Sequence, residues 1–196
     1  MTTVAESNTT PTVQSWSVWH IDPRHSLAEF SARHMMLSKV RGRFTGVSGT
    51  IVDAADDPKY SSVKAEIDVT TLITGDPQRD EHLRSPDFFD VANYPTITFA
   101  SHRVSGSREQ FKITGDLTIR GQTREVTLDV TFNGVGTNPF GQSVAGFTAE
   151  THINRKDFGL NWNVALEAGG FLVGDEINIE IELEAVRQDP PSEGAN

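Results

Sequence analysis

The chain has 196 residues, 36% of them hydrophobic, with sixteen glycines, eleven phenylalanines and no cysteine. That length suits a single domain with a full core or an enclosed cavity. A formal net charge of −10 disfavours nucleic acid and anionic membrane surfaces as partners, because their phosphates repel it. The lack of cysteine excludes disulfides, thiol nucleophiles and cysteine-ligated metal or iron–sulfur centres.

The first fourteen residues, MTTVAESNTTPTVQ, carry neither a basic n-region nor an apolar run of signal-peptide length. No window approaches the roughly 20 apolar residues of a membrane helix. The expectation is a soluble, cytoplasmic protein with disordered tails at 1–14 and 188–196 flanking one domain over 15–187.

From there the chain reads as strand after strand. Less regular strands are expected at Trp16–Ile21, Leu27–Met36 and Gly42–Val52. Val63, Ala65, Ile67 and Val69 then alternate with Lys64, Glu66, Asp68 and Thr70, a period of two that sends apolar groups to one face. Gly75-Asp76-Pro77 predicts a helix with Asp76 as cap and proline in its first turn, and Ser85-Pro86 predicts a helical restart capped by Ser85.

After the Tyr94-Pro95 break, strands are expected at Thr96–His102 and through Phe111, Ile113, Leu117 and Ile119, with Gly115 on the same face. Arg120-Gly121-Gln122-Thr123 forms a short hairpin turn into Val126, Leu128, Val130 and Phe132. A strand over Val144–Ile153 and a helical turn from Lys156 to Trp162 follow. Ile177, Ile179, Ile181, Leu183 and Ala185 against Asn178, Glu180, Glu182 and Glu184 give the clearest strand of all. Nine or so strands joined by short turns predict antiparallel pairing and closure into a barrel, which removes exposed edges.

The inward face of the second strand reads Ala28, Phe30, Ala32, His34, Met36. Small residues alternating with phenylalanine leave open either a packed core or a lined cavity. The abundance of phenylalanine favours the cavity, since small-ligand sites are mostly apolar with a few polar groups. His34 reads as a buried neutral imidazole or as a headgroup contact.

The six histidines share no ligand spacing, so no metal and no cofactor are expected. Arg79, Asp80, Glu81 and His82 hold acid, base and cation close in sequence, as proton transfer would need. Consecutive helical residues point apart, which favours a solvated helix face. No GxSxG elbow, Walker loop or dinucleotide fingerprint is present.

Several ordered motifs resemble the YceI-like family, lipocalin-like barrels that bind polyisoprenoid lipids. They are Ile21-Asp22-Pro23-Arg24-His25-Ser26, Phe30-Ser31-Ala32-Arg33-His34 and Val40-Arg41-Gly42-Arg43-Phe44, followed by the block from Asp80 to Asp90 with Tyr94-Pro95. Gly115-Asp116-Leu117-Thr118-Ile119-Arg120-Gly121 and Arg155-Lys156-Asp157-Phe158-Gly159 complete the set, which spans about Trp16 to Val186.

The resemblance implies an all-β fold, an eight-stranded antiparallel barrel with one or two short helices near its mouth. It also implies an elongated hydrophobic pocket for a long-chain isoprenoid, a non-enzymatic carrier role and a homodimer. The wall candidates for that pocket are Phe30, Ala32, His34, Met36 and Phe44 on the early strands, and Phe99, Phe132 and Phe147 on the later ones. At the mouth the candidates are Leu83, Phe88, Phe89, Phe158 and Trp162, with His34, His82 and Asn161 as headgroup contacts. The paired Phe88 and Phe89 on a helix suggest a lid with one ring facing inward. The rival reading is an enzyme acting on such a lipid through His34 or the Asp80–His82 cluster.

Overall fold

Alternation with a period of two dominates the chain, and the computed structural model turns it into ten strands; residues 15–54, 57–167 and 169–188 are described. The expected tails, 1–14 and 188–196, lie outside the described residues apart from Gln188. In order the strands are β1 (Trp16–Ile21), β2 (Leu27–His34), β3 (Ser38–Phe44), β4 (Val47–Ala54) and β5 (Ser62–Asp68). After the helix α1 (Pro77–Arg84) come β6 (Thr96–Gly106), β7 (Gln110–Ile119), β8 (Gln122–Thr137), β9 (Ser143–Asn154) and β10 (Val173–Arg187).

All pairings are antiparallel, and the ladder from β4 through β10 is closed by β1, which pairs with both. β10 binds β1 at Ala185–Arg187 and β2 at 173–182, so β1 and β2 occupy successive stretches of one wall position. β3 against β2 and β4 against β1 share the next position in the same way. Ten strands thus fill the eight positions of a closed barrel.

Three strand expectations change for local reasons. The strand read through Val69 and Thr70 ends at Asp68, whose side chain accepts from the Thr70 N–H and caps a 3-10 turn over Val69–Thr71. The strand expected over Leu27–Met36 stops at His34, because Met35 and Met36 adopt left-handed backbone (φ 52° and 60°) and turn the chain into β3. The strand expected over Gly42–Val52 breaks at Thr45-Gly46, whose N–H groups donate to the Thr71 hydroxyl at 3.2 and 3.1 Å instead of to a ladder. Between β7 and β8, Arg120 and Gly121 both have positive φ (49° and 71°), the geometry of a two-residue primed hairpin turn.

Asp76 caps α1 by accepting from the N–H groups of Gln78 (3.0 Å) and Arg79 (3.3 Å), with Pro77 in the first turn. The expected helical restart at Ser85 does not form. Ser85 instead ends α1, its N–H and Oγ both donating to the His82 carbonyl, and residues 86–89 continue as turns. The C-terminal helical turn is a short 3-10 segment over Arg155–Phe158.

The segment joining β5 to β6 and the one joining β9 to β10 both cross the same end of the barrel. There Val69, Leu72 and Phe158 are almost wholly buried and plug it. The turns β6–β7 and β8–β9 form the opposite end.

Candidate functional site: the barrel cavity

Inside the barrel lies a cavity of about 350 Å³, within the usual range for small-molecule sites. Its wall is aliphatic and aromatic. Phe30 and Phe44 sit with ring centroids 5.5 Å apart, and Phe132 and Phe147 with centroids 5.4 Å apart across the β8–β9 ladder. Two glycines make room for rings: a Cβ on Gly42 would lie 2.3 Å from Phe30 Cζ, and one on Gly115 2.7 Å from Phe99 Cζ. Glycine opposite an aromatic lets the ring lie flat across the neighbouring strand.

Of the expected wall candidates, Phe30, Ala32, Phe44, Phe99, Phe132 and Phe147 line the cavity. At the α1 end Leu83, Phe88 and Phe89 also line it. Four candidates do not. His34, half-buried at the end of β2, lies beyond the lining, and Met36 sits 67% exposed in the β2–β3 turn. Phe158 is buried in the plug, and Trp162 packs behind the lining against His82 (4.6 Å) and Phe88 (5.3 Å).

The expectation that only one of Phe88 and Phe89 could face inward rested on a helix. In the observed turn, with Asp90 at φ 50°, both line the cavity. Phe88 meets His82 edge-on at 5.1 Å, while Phe89 meets Phe44 edge-on at 5.6 Å.

Three arginines fasten the segments that close this end. Arg84 donates to the carbonyls of Leu72 and Thr70. Arg120 donates to Pro86 O (2.7 Å) and Gly159 O (3.0 Å), tying one closing segment to the other. Arg155, 2% exposed, donates to the carbonyls of Leu160, Trp162 (2.9 Å) and Gly174 (3.0 Å) and pairs with Asp175 at 3.2 Å. Burial pushes the Arg155 guanidinium below its ordinary value, and the Asp175 charge opposes that shift. These arginines fall inside the sequence motifs, yet none stood out as a site residue on spacing alone.

At the far end the lining turns polar through Asp53, Ser61 and Arg108. Ser61 Oγ donates to Asp53 at 3.4 Å and accepts from the Ala54 N–H at 3.0 Å, while Arg108 donates to Ala54 O at 3.3 Å. No sequence signal singled these out, since Arg108 sits in a hairpin turn.

The acid–base cluster of α1 is engaged elsewhere. Asp80 accepts from the N–H and hydroxyl of Thr74, and His82 Nε2 lies 2.9 Å from Asp87. Among the described residues no histidine lines the cavity. Asp22, His25 and Glu184 bring ligand atoms within 4.8 Å of one another, a juxtaposition invisible in sequence because Glu184 comes from β10. His25 Nδ1 is 2.9 Å from Asp22 and 3.5 Å from Glu184, so the imidazole is held in the turn by contact with the two carboxylates. No helix among the described residues is long and apolar enough to cross a membrane.

A closed antiparallel barrel around an apolar cavity defines a lipocalin-like protein. Residues 19–185 match the model of the YceI-like domain, and the chain belongs to that family. It is 40% identical over 164 residues to a UPF0312 protein of Staphylococcus aureus (strain MSSA476), covering 83% of this chain and 94% of the relative. The YCEI protein of Campylobacter jejuni superposes with a TM-score of 0.66 at 29% identity, covering 80% and 90% of the two chains. Burkholderia cenocepacia BcnA shares the fold, with a TM-score of 0.72 at 24% identity over 84% of this chain and 98% of its own. So does a polyisoprenoid binding domain from Saccharophagus degradans, with a TM-score of 0.62 at 14% identity over 89% and 99%.

Proposed function

We propose that this protein holds a long-chain isoprenoid lipid in the barrel cavity and carries or sequesters it without changing it. The observation that carries the reading is the cavity: about 350 Å³, enclosed by a closed barrel and lined mostly by aliphatic and aromatic side chains, with polar groups at its far end. The polyisoprenoid binding domain of similar fold supports the same ligand class.

Energetics favour a long tail. Burying ten hydrocarbon carbons contributes about 8 kcal/mol at ~0.8 per methylene, against association costs of roughly 4–15 kcal/mol. A long isoprenoid exceeds those costs where a short acyl fragment does not. A cytoplasmic home and a homodimer belong to the same reading, tested by cell fractionation and by light scattering on the purified chain.

The deciding experiment is mass spectrometry of an organic extract from natively purified protein, paired with melting curves. An isoprenoid should be recovered, and added long-chain isoprenoid should stabilise the protein by about 2.7 kcal/mol at a hundredfold excess over Kd. An empty extract with no thermal shift would end the carrier reading. A recovered product that differs from the lipid supplied would replace it with an enzyme.

A further inference from the structure

Two loops at the α1 end expose apolar side chains together. Met35, Met36 and Leu37 in the β2–β3 turn are 40%, 67% and 80% exposed, and Val164 and Phe171 are 45% and 54% exposed. The loops are joined by backbone: the Met35 N–H donates to Leu172 O at 2.8 Å, and the Leu172 N–H donates to Val164 O at 2.9 Å. Isolated exposed apolar residues need no explanation, but a continuous apolar rim does. Met35 and Met36 also hold left-handed backbone, a conformation that glycine or asparagine adopts more readily.

Charge around this rim runs against that of the whole chain. Between Glu29 and Asp53 lie four cations, Arg33, Lys39, Arg41 and Arg43, and no acid, in a chain of net charge −10. Arg33 stands opposite Lys39 in the β2–β3 ladder, Ser31 opposite Arg41 and Glu29 opposite Arg43. Phe30, Ala32 and Phe44 on the alternate positions line the cavity, so the cations face outward. Lys156 lies beside the rim with its ammonium 5.8 Å over the Phe171 ring, but it is paired with Asp175 at 2.8 Å and adds no net charge to the stripe. Glu167 is the one acid in the turn Met35–Leu37 and the stretch 164–172. Acids border the stripe at its Arg43 end, where Glu29 and Glu180 face each other across β2 and β10, and beside Arg33, where Gly174 leads into Asp175 and Glu176. Asp175 is engaged by Arg155 and Lys156, and charges beyond roughly 8 Å are screened at physiological ionic strength.

We propose that this rim docks the protein on a bilayer containing anionic lipid. Met36, Leu37 and Phe171 enter the interface, and Arg33, Lys39 and Arg41 meet lipid phosphates. An isologous contact with a second copy fits less well, because a two-fold axis through the rim sets these cations against their own images. The rim also adjoins the cavity: Val173, next after Leu172, lines it and pairs with His34. Docking is independent of what the cavity holds.

The test is flotation of the full chain with phosphatidylcholine vesicles, with and without phosphatidylglycerol. Binding should require phosphatidylglycerol and fall as salt rises. Arg33→Ser with Lys39→Ser, and separately Met36→Asn with Leu37→Ser, should each weaken binding on the order of tenfold. Circular dichroism and melting temperature should stay unchanged, because all four side chains are exposed or half-exposed at the surface. Equal flotation on both vesicle types, or variants that float like the parent, would overturn the proposal. A dimer in solution that Met36→Asn with Leu37→Ser dissociates would overturn it too, making the rim a contact between copies. Lost docking with isoprenoid thermal shift intact leaves the carrier reading standing, and the reverse result removes only that reading.

Discussion

The ring of Phe89 stands edge-on to that of Phe44, with centroids 5.6 Å apart and planes at 88°, so the turn after α1 is fastened to the β3 wall by an aromatic contact. Phe88, on the other side of the same turn, is held by His82 and Trp162. Replacing both phenylalanines by alanine removes the turn's grip on the barrel and part of the cavity lining. Dissociation of a bound isoprenoid should then speed up by roughly tenfold or more, with entry changed much less, as within one interface affinity differences sit mostly in off-rates. Stopped-flow displacement measures both rates. Parental off-rates in a variant with native circular dichroism would mean that the turn is no lid.

Arg155 and Lys156 share the partner Asp175, yet their substitutions should differ sharply. Arg155→Met strands the three carbonyls that the buried guanidinium now satisfies, while Asp175 keeps Lys156, at a cost of about 1–3 kcal/mol for each carbonyl left unpaired in the interior. Lys156→Met removes an exposed pair and should cost under about 1 kcal/mol. Urea unfolding of the two variants separates the cases, and equal midpoints would contradict the role assigned to Arg155.

Acid stability should follow two aspartates. The hydrogen bond from Lys156 leads the forces that hold Asp175 below the usual carboxylate range, the Lys156 and Arg155 charges add to it, and burial opposes. The backbone N–H of Arg24 leads in lowering Asp22, with His25 assisting and burial again opposing. Because both values are depressed in the folded state, their stabilisation is complete above the unfolded value, about 3.9, and is lost as pH falls through the folded ones. Melting temperature should therefore be insensitive to these groups between neutrality and about pH 5 and drop below about pH 4. Asp175→Asn should flatten that acid limb.

The two glycines beneath rings predict opposite outcomes. In Gly115→Ala the new Cβ lies 2.5 Å from Ala100 O, a backbone atom that cannot step aside, so stability should fall by about 1–3 kcal/mol. In Gly42→Ala the nearest atoms belong to the Phe30 ring, which borders open cavity and can swing into it. That variant should stay folded while losing lipid capacity. Calorimetry and isoprenoid titration check the pair.

Much of this fold was legible because a strand's period of two fixes which residues share a face. β10 and the β7–β8 hairpin could be read directly from alternation and from Arg120-Gly121. Alternation says nothing of where a strand stops, so His34 and Met36 were carried onto the cavity face although two left-handed residues end β2 first. Phe158 and Trp162 are expected at the pocket mouth, but no alternation reaches them to say which way they face, and they pack in the plug and behind the lining. Arginine is rarely buried, so nothing in the sequence marked Arg155 as a buried clamp whose acceptors lie five to twenty residues away.

The closing ladder imposes an order on biogenesis. β2 and the end of β1 pair early with β3 and β4, but their second edge is met only by β10, more than a hundred residues later. A ribosome therefore releases most of the sheet before it can become a cylinder, leaving β9 and β2 as open edges with the Phe-rich inner face wet. Pairings this distant in sequence slow folding and prolong exposure to aggregation. The nascent polypeptide should depend on chaperones until Val173–Arg187 emerges, and a stall before that point should yield insoluble rather than half-functional material.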